Sequence, residues 1–551
     1  MKQLAMTVVL AVGTLSLVTP AMAATPPSDP AVSCQALVGF SGAGARVEAA
    51  RLMAASVDFP QYCLVQGAIA PVAGGFPIHF QVNLPSEWNR RAVHFGGGGF
   101  NGSVVSGLNA FGEAHPQEKR PLAAGFVTFG SDSGHSNRPD GAPIYTQINP
   151  DGVGQSGQLL QGQRFMVNAS FARNDEALAN YGGNQLKKTH DAAVAIIRQR
   201  YGRAPEKMYF TGHSQGGHEA VLVAQRFGRD YDGIFAGAPV LDLTTVQVVY
   251  LLNFQQLFRS RETWLSPKKV ETLARGELEQ CDALDGLSDG VISAWGQCRF
   301  EPAKLRCADG RDTGDACLSD AQIETARALR AETRFPYALH SGVTSHPGWP
   351  LGNLLDPVEG LTPVITGDSP DEPRGHNADL GLVWLRQAIT HDAQADWRTF
   401  NPAAHADRLS MMSKTVDSLD PDLSAFCGHG GKLMIWVGMS DYRISPYVGV
   451  NYYKAVRARL GAAAADRCIA IYASPGLSHT LSSYNEQPNK FAFFQPLQDW
   501  VEKGRAPGDL VGERIEDGVV VKSRPLCRNL RWPRYNGTGD PDAASSFSCV
   551  P

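Results

Sequence analysis

The sequence predicts an α/β fold, a mainly parallel β-sheet with helices on both faces, interrupted by one large insertion. Three observations lead there. From about Gly74, short apolar runs alternate with turns and amphipathic runs, the pattern of parallel strands joined by crossover helices. The alternation stops near Leu243 and resumes near Cys427; between them lies an irregular stretch rich in Asp, Gly, Pro and Trp. At 551 residues, the chain also exceeds what one ordinary core holds. The expected organisation is a catalytic α/β domain from 24–242 and 427–551, with an inserted lid domain at 243–426.

Each element can be justified in turn. Residues 1–23 read as a signal peptide: Lys2, an apolar run, then Ala21-Met22-Ala23 as an A-x-A cleavage site. "FPIHFQVNLP" (76–85), "RAVHF" (91–95) and "AGFVTFGSDSGHS" (124–136) read as strands and their loops. "THDAAVAIIRQRYG" (189–202) has apolar residues near helical spacing. "KMYF" and "YDGIFAGAPV" are buried strands flanking the helix "HEAVLVAQRF". After the insertion, "GKLMIWVGMSDYRISP" and "CIAIYASPGLSHT" are strands with loops, and "YVGVNYYKAVRARLG" and "NKFAFFQPLQDWVEKG" are helices.

Composition narrows the function. A formal charge of −4 without a basic run gives no case for nucleic acid. No stretch after the signal peptide is long and apolar enough to span a bilayer. The ten cysteines suit a secreted or periplasmic protein. They group locally, so sequential pairing is expected: Cys34 with Cys63, Cys281 with Cys298, Cys307 with Cys317, Cys427 with Cys468, and Cys527 with Cys549. Their spacings fit no zinc pattern.

Gly212-His213-Ser214-Gln215-Gly216 fits the G-x-S-x-G elbow, which holds a serine on a sharp strand-to-helix turn. A nucleophilic serine needs a base, and the base needs an orienting carboxylate. In open α/β sheets such groups gather at the carboxyl ends of strands. Asp441 follows "LMIWV" and His479 follows "IAIYA". The order Ser214, Asp441, His479 is that of α/β-hydrolases, so these three are the expected triad. The Gln215 N–H is one expected oxyanion donor. "HFGGGGFNG" supplies the second, with Gly99 favoured and Gly98 close behind. His218 and Glu219, opening the next helix, read as solvated or capping residues, and His213 as packing. Asp132 and His135 read as structural.

In "CDALDGLSDGVISAWGQC" (281–298), Asp282, Asp285 and Asp289 are spaced by glycines, with Leu287 and Val291 placed to offer carbonyls. Calcium prefers oxygen ligands on a tightly turned loop, so a structural Ca²⁺ in the lid is expected.

These pieces, with "WNRRAVHFGGGGFNG" and the run around Ser214, resemble the tannase and feruloyl esterase family, which includes mono(2-hydroxyethyl) terephthalate hydrolases. The resemblance runs roughly from Cys34 to the C-terminus. It implies an α/β-hydrolase core with a lid, a lid calcium on the five residues named above, and hydrolysis of small esters of aromatic acids. It places Ser214, Asp441 and His479 on the triad. Arg386, Trp384 and Trp397 are lid candidates for holding the acid. A secreted aliphatic esterase or a peptidase would use the same triad, and a non-catalytic binding protein on this fold would be expected to lack a member of it.

The sequence departs from the family at one point. There, cysteines just before the nucleophile and just after the catalytic histidine usually form a disulfide; here these positions hold His213 and Thr480. A bridge closing so long a loop is worth about 5 kcal/mol. Cys427 and Cys468, each just before a triad strand, are the expected substitute staple.

Overall fold

The computed structural model describes residues 30–112, 115–138, 140–145, 168–350, 355–482 and 485–551. The signal-peptide segment 1–23 lies outside these residues.

Ten strands form the main sheet: β1 (Ser41–Gly42), β2 (Ala45–Met53), β3 (Tyr62–Ile69), β4 (Ile78–Pro85), β5 (Arg91–Phe95), β6 (Val127–Ser131), β7 (Lys207–His213), β8 (Gly233–Gly237), β9 (Lys432–Gly438) and β10 (Ile469–Ser474). Their spatial order is β1-β2-β3-β4-β6-β5-β7-β8-β9-β10. From β6 to β10 neighbours are parallel. The β1–β4 end is antiparallel. Helices cover both faces, so the central strands are apolar throughout rather than alternating; in β9 every residue after Lys432 is buried. The crossover helix Gln185–Tyr201 ends on Gly202 in the left-handed conformation, φ 72°, where glycine carries no Cβ penalty.

Between β8 and β9 the chain leaves the main sheet. Among the described residues of 243–426, the only strands are Thr333–Arg334 and Ser345–His346, which pair with each other. The segment is not irregular as its composition suggests. It contains the helices Leu243–Leu257, Pro267–Cys281, Asp320–Arg330, His376–Trp384 and Ala406–Val416 around a second apolar core. Leu243–Leu257 is buried at 12 positions, so it lacks the polar face that makes a helix legible by periodicity. Two others carried readable start signals. Ser266 caps Pro267–Cys281, with proline at the first helical position, and Ser319 with Gln322 forms a capping box. The pattern before Gly74 also conceals β2 and β3; the outer residues of β2 include Arg46, Glu48 and Arg51.

All five cysteine pairs are bridged as the spacing indicates. Cys427 and Cys468 have Cα atoms 5.4 Å apart. They precede β9 and β10, at the opposite end of these parallel strands from Asp441 and His479. The expected pairing is present, but the bridge fixes strand starts and does not tie the loops of Asp441 and His479 to each other. Closing 41 residues, it is worth about 4 kcal/mol in the chain-entropy model. Replacing both cysteines by serine is expected to lower the melting temperature while leaving kcat at 25 °C within about twofold. An activity loss in the fully folded double mutant would show that the bridge does shape the site.

The root of the insertion is fastened by Ser418 N–H to the Leu241 carbonyl and Thr244 N–H to Asp417 Oδ1, both 2.8 Å. Asp242 beside them is buried. Burial pushes its carboxyl up to about 8, opposed by the Thr245 hydroxyl and reinforced by Asp417. His346, 3.6 Å away, is held neutral by burial. The folded protein thus binds this proton more tightly than the unfolded chain, whose aspartates titrate near 3.9. The stabilisation is complete below about pH 4 and is lost as pH rises through 8. Asp242→Asn is expected to flatten the fall in denaturation free energy between pH 6 and 9; parallel wild-type and variant curves would refute this.

Candidate active site

Ser214 stands between β7 and the helix Gln215–Arg226 with φ 60°, ψ −118°, a conformation costly for a residue with a Cβ. It is held there from both sides. Its N–H donates to the Gly237 carbonyl at 2.9 Å, and its carbonyl accepts from His218 N–H at 3.0 Å. The flanking glycines are required by contact. A Cβ on Gly212 would lie 2.2 Å from the Gly216 carbonyl oxygen, and one on Gly216 would lie 2.6 Å from that of Gly97. Strand, helix and glycine loop meet backbone to backbone.

Asp441 and His479 are brought together from loops 38 residues apart. His479 Nδ1 lies 2.7 Å from Asp441 Oδ2, and both side chains are buried. Asp441 Oδ1 accepts from Ile444 N–H at 2.9 Å. With its Nδ1–H given to the carboxylate, the imidazole keeps the lone pair on Nε2 free to act as base. The His479 ring packs edge-on against His213, the neighbour of Ser214, with centroids 4.9 Å apart. His213 also lies beside Trp436, in keeping with a packing role. The arrangement can carry out nucleophilic acyl transfer.

The glycine loop after β5 is fixed at successive residues. Gly97 N–H donates to Glu219 Oε2 at 2.9 Å. Asn101 N–H donates to the Gly98 carbonyl at 2.9 Å. The Tyr181 hydroxyl donates to the Gly99 carbonyl at 3.1 Å, and His135 Nε2 to that of Phe100 at 2.8 Å. Gly99 has φ 57° with open space where a Cβ would be. Gln215 opens its helix, where N–H groups have no intrahelical acceptor.

Asp132 and His135 support this loop. Asp132 binds His79 Nδ1 at 2.8 Å and Gly134 N–H at 2.9 Å. His135 stacks on Phe171 at 4.0 Å, and burial lowers its pKa to about 4, so it is neutral. His218 and Glu219 are not solvated or capping residues: they are 0 % and 1 % exposed. The helix runs inward between sheet and glycine loop, which encloses its first turns. Burial pushes the Glu219 carboxyl up to about 7 against the hydrogen bonds it accepts.

Trp384 and Trp397 offer no open ring. Trp384 is fully buried and stacks on Phe100 at 4.8 Å. Trp397 is buried against Phe254 and Phe258. Each sits on the inner side of a short helix, where the second core claims it. Arg386 Nε reaches the Ala395 carbonyl at 3.4 Å. Instead, the insertion sends His376 to the site. Burial, then Arg443 and His479, pulls its pKa well below the ordinary value. Arg443, two residues past Asp441, pairs with the buried Glu359 through Nε at 2.7 Å. Nothing in "RGHNADL" or "DPVEG" marks His376 or Glu359 as neighbours of the His479 and Asp441 loops. A cavity of about 270 Å³ lies beside the Asp441 and His479 loops, against Ser440 and Gly476, and does not include Ser214.

The acidic loop lies inside the Cys281–Cys298 bridge. Asp282 accepts from Gly290 N–H at 3.0 Å and Val291 N–H at 3.2 Å. Asp285 accepts from Leu287 N–H at 3.0 Å. Asp289 Oδ2 pairs with Arg524 at 2.9 Å, while its Oδ1 is buried without a hydrogen-bond partner. Burial, with Asp289 adding repulsion, raises the carboxyls of Asp282 and of Asp285, the latter to about 6. Among the described residues, no three His, Cys, Asp or Glu side chains converge as a ready metal-holding group. Orphaned oxygen and crowded carboxylates are nevertheless what a cation relieves.

The family model for tannase and feruloyl esterase matches residues 63–550. An uncharacterized esterase of Agrobacterium fabrum is 31 % identical, covering 92 % of this chain and 89 % of its own. The mono(2-hydroxyethyl) terephthalate hydrolase of Piscinibacter sakaiensis is 29 % identical, covering 91 % and 87 %. Among solved structures, feruloyl esterase B from Aspergillus oryzae superposes with a TM-score of 0.75 at 21 % identity, covering 94 % of this chain and 100 % of its own. Tannin acyl hydrolase from Aspergillus niger gives 0.66 at 19 %, covering 92 % of both. These two likenesses establish the α/β-hydrolase-type fold.

Proposed function

Since the chain belongs to the tannase and feruloyl esterase family and is a carboxylic ester hydrolase, we propose that it cleaves esters of aromatic carboxylic acids through an acyl-enzyme on Ser214. One observation carries the reading: the buried His479–Asp441 pair, bonded at 2.7 Å, packs on His213, the chain neighbour of a serine held at φ 60° where the helix meets the glycine loop. Ser214 Oγ attacks the ester carbonyl and His479 Nε2 takes its proton. Asp441 stabilises the imidazolium that forms. Gln215 and Gly99 N–H groups receive the oxyanion. The proton passes to the departing alcohol, and water resolves the ester on Ser214 by the same steps. The aromatic acid class rests on what relatives are named for, a terephthalate monoester in one and ferulate in others.

The experiment is acid release from alkyl gallate, methyl ferulate, mono(2-hydroxyethyl) terephthalate and an aliphatic p-nitrophenyl ester. Wild type should turn over at least one aromatic ester, with Ser214→Ala reduced about 10⁴-fold or more. Cleavage of the aliphatic ester alone would overturn the substrate class, and equal rates for wild type and variant would overturn the nucleophile.

The five disulfides fit an oxidising compartment, and no helix among the described residues is long and apolar enough to cross a membrane. We read the protein as secreted or periplasmic.

Calcium belongs to the same proposal. Asp282, Asp285 and Asp289, with the Leu287 and Val291 carbonyls, would hold the ion, which supplies a structural charge and takes no part in the chemistry. Ca²⁺ at 100 times its Kd should stabilise the fold by about 2.7 kcal/mol, read as a higher melting temperature that chelator reverses and Asp282→Asn abolishes. A melting temperature indifferent to Ca²⁺ and chelator, with no metal retained on elemental analysis, would remove calcium from the account.

A further inference from the structure

A buried carboxyl group is costly unless something uses it, and among the described residues no cation pairs with Glu219. Its hydrogen bonds run in one direction. Oε2 accepts from Gly97 N–H at 2.9 Å. Oε1 accepts from Gln185 Nε2 at 3.0 Å and lies 3.5 Å from the Ser133 hydroxyl. That network reaches the far end of the glycine loop. Asn101 Nδ2 donates to Ser133 Oγ at 2.6 Å and to the Ser131 carbonyl at 3.3 Å. The Ser131 hydroxyl donates to Gln185 Oε1 at 2.6 Å. Both ends of the turn carrying Gly98 and Gly99 are thus tied to one buried cluster. The carboxylate also fills the space against Gly96, where a Cβ would meet Oε2 at 2.7 Å. Glu219 is on the helix that begins with Gln215, the other oxyanion donor, so one side chain sets the distance between the two donors.

We propose that Glu219 is a positioning residue for the oxyanion hole: it holds the Gly98–Gly99 turn at a fixed distance from the Gln215 N–H. It touches neither substrate nor reacting atoms. Its effect falls on the step where negative charge develops on the acyl oxygen, and not on ester binding. The inference rests on Ser214 being the nucleophile.

The test compares wild type, Glu219→Ala, Glu219→Gln and Ser214→Ala in two assays, with melting temperatures recorded for each. One assay is steady-state hydrolysis of the best ester. The other is the rate at which a fluorophosphonate probe labels the protein, since that reaction also places an oxyanion in the hole. Glu219→Ala, folded at the assay temperature, should lose about 10- to 100-fold in kcat with KM within about threefold, and label correspondingly slowly. Glu219→Gln keeps an acceptor oxygen for the Gly97 N–H and should recover most of both rates. Wild-type kcat and labelling in folded Glu219→Ala would overturn the proposal. So would losses in both variants that merely follow their melting temperatures. Labelling of Ser214→Ala at the wild-type rate would instead remove the nucleophile, a separate failure.

Discussion

The structure depends on one close approach. β7, the helix after it and the glycine loop after β5 come together where no side chain fits: Gly212 against Gly216, and Gly216 against Gly97. Only this contact allows Ser214 to stand between strand and helix at φ 60°. The strain is held by hydrogen bonds at both its N–H and its carbonyl, which belong to β8 and to the helix. The surrounding sheet over-determines the geometry, without which a strained residue does not persist.

The parallel sheet then does the gathering. Strands β7, β9 and β10 run the same way, so the residues that follow them emerge on one edge although Ser214 and His479 are far apart in sequence. This is why the placement of these three residues could be read from the chain: elbow, strand-end aspartate and strand-end histidine each carry a local signal, and topology supplies the rest. The apolar runs of β5, β7, β8, β9 and β10 were legible for the same reason, being buried on both faces.

What escaped reading has a common physical cause: burial that local pattern does not register. Leu243–Leu257 is helical without a polar face. Glu219 looks like a first-turn helix charge, favoured there by the helix dipole and normally wet. Only the fold shows that the glycine loop covers it. Trp384 and Trp397 looked like aromatic platforms because large rings in an irregular stretch invite that reading, but the stretch has a core of its own and they fill it. His376 and Glu359 come to the site from within the insertion, Glu359 lying 84 residues from its partner Arg443, a distance over which a single sequence carries no pairing signal.

The absent disulfide shows how the site manages without a covalent tie. His213 and Thr480 stand where the resemblance led one to look for cysteines, and the Cys427–Cys468 bridge lies at the other end of the strands, roughly 20 Å away at 3.3 Å per residue. The triad loops are joined instead by backbone. Met439 N–H donates to the Ser474 carbonyl and Ser440 N–H to that of Leu477, both at 2.9 Å. Gly438 packs so closely on Leu477 and Ser478 that a Cβ there would meet their carbonyl oxygens at 2.5 and 2.6 Å. The Asp441–His479 hydrogen bond closes the same seam. A disulfide acts mainly by restricting the unfolded chain. These contacts act in the folded state, directly on the loops that hold the Asp441 and His479 side chains together. Absence of the covalent link therefore bears on stability, while the geometry of the Asp441–His479 pair is carried by the loops themselves.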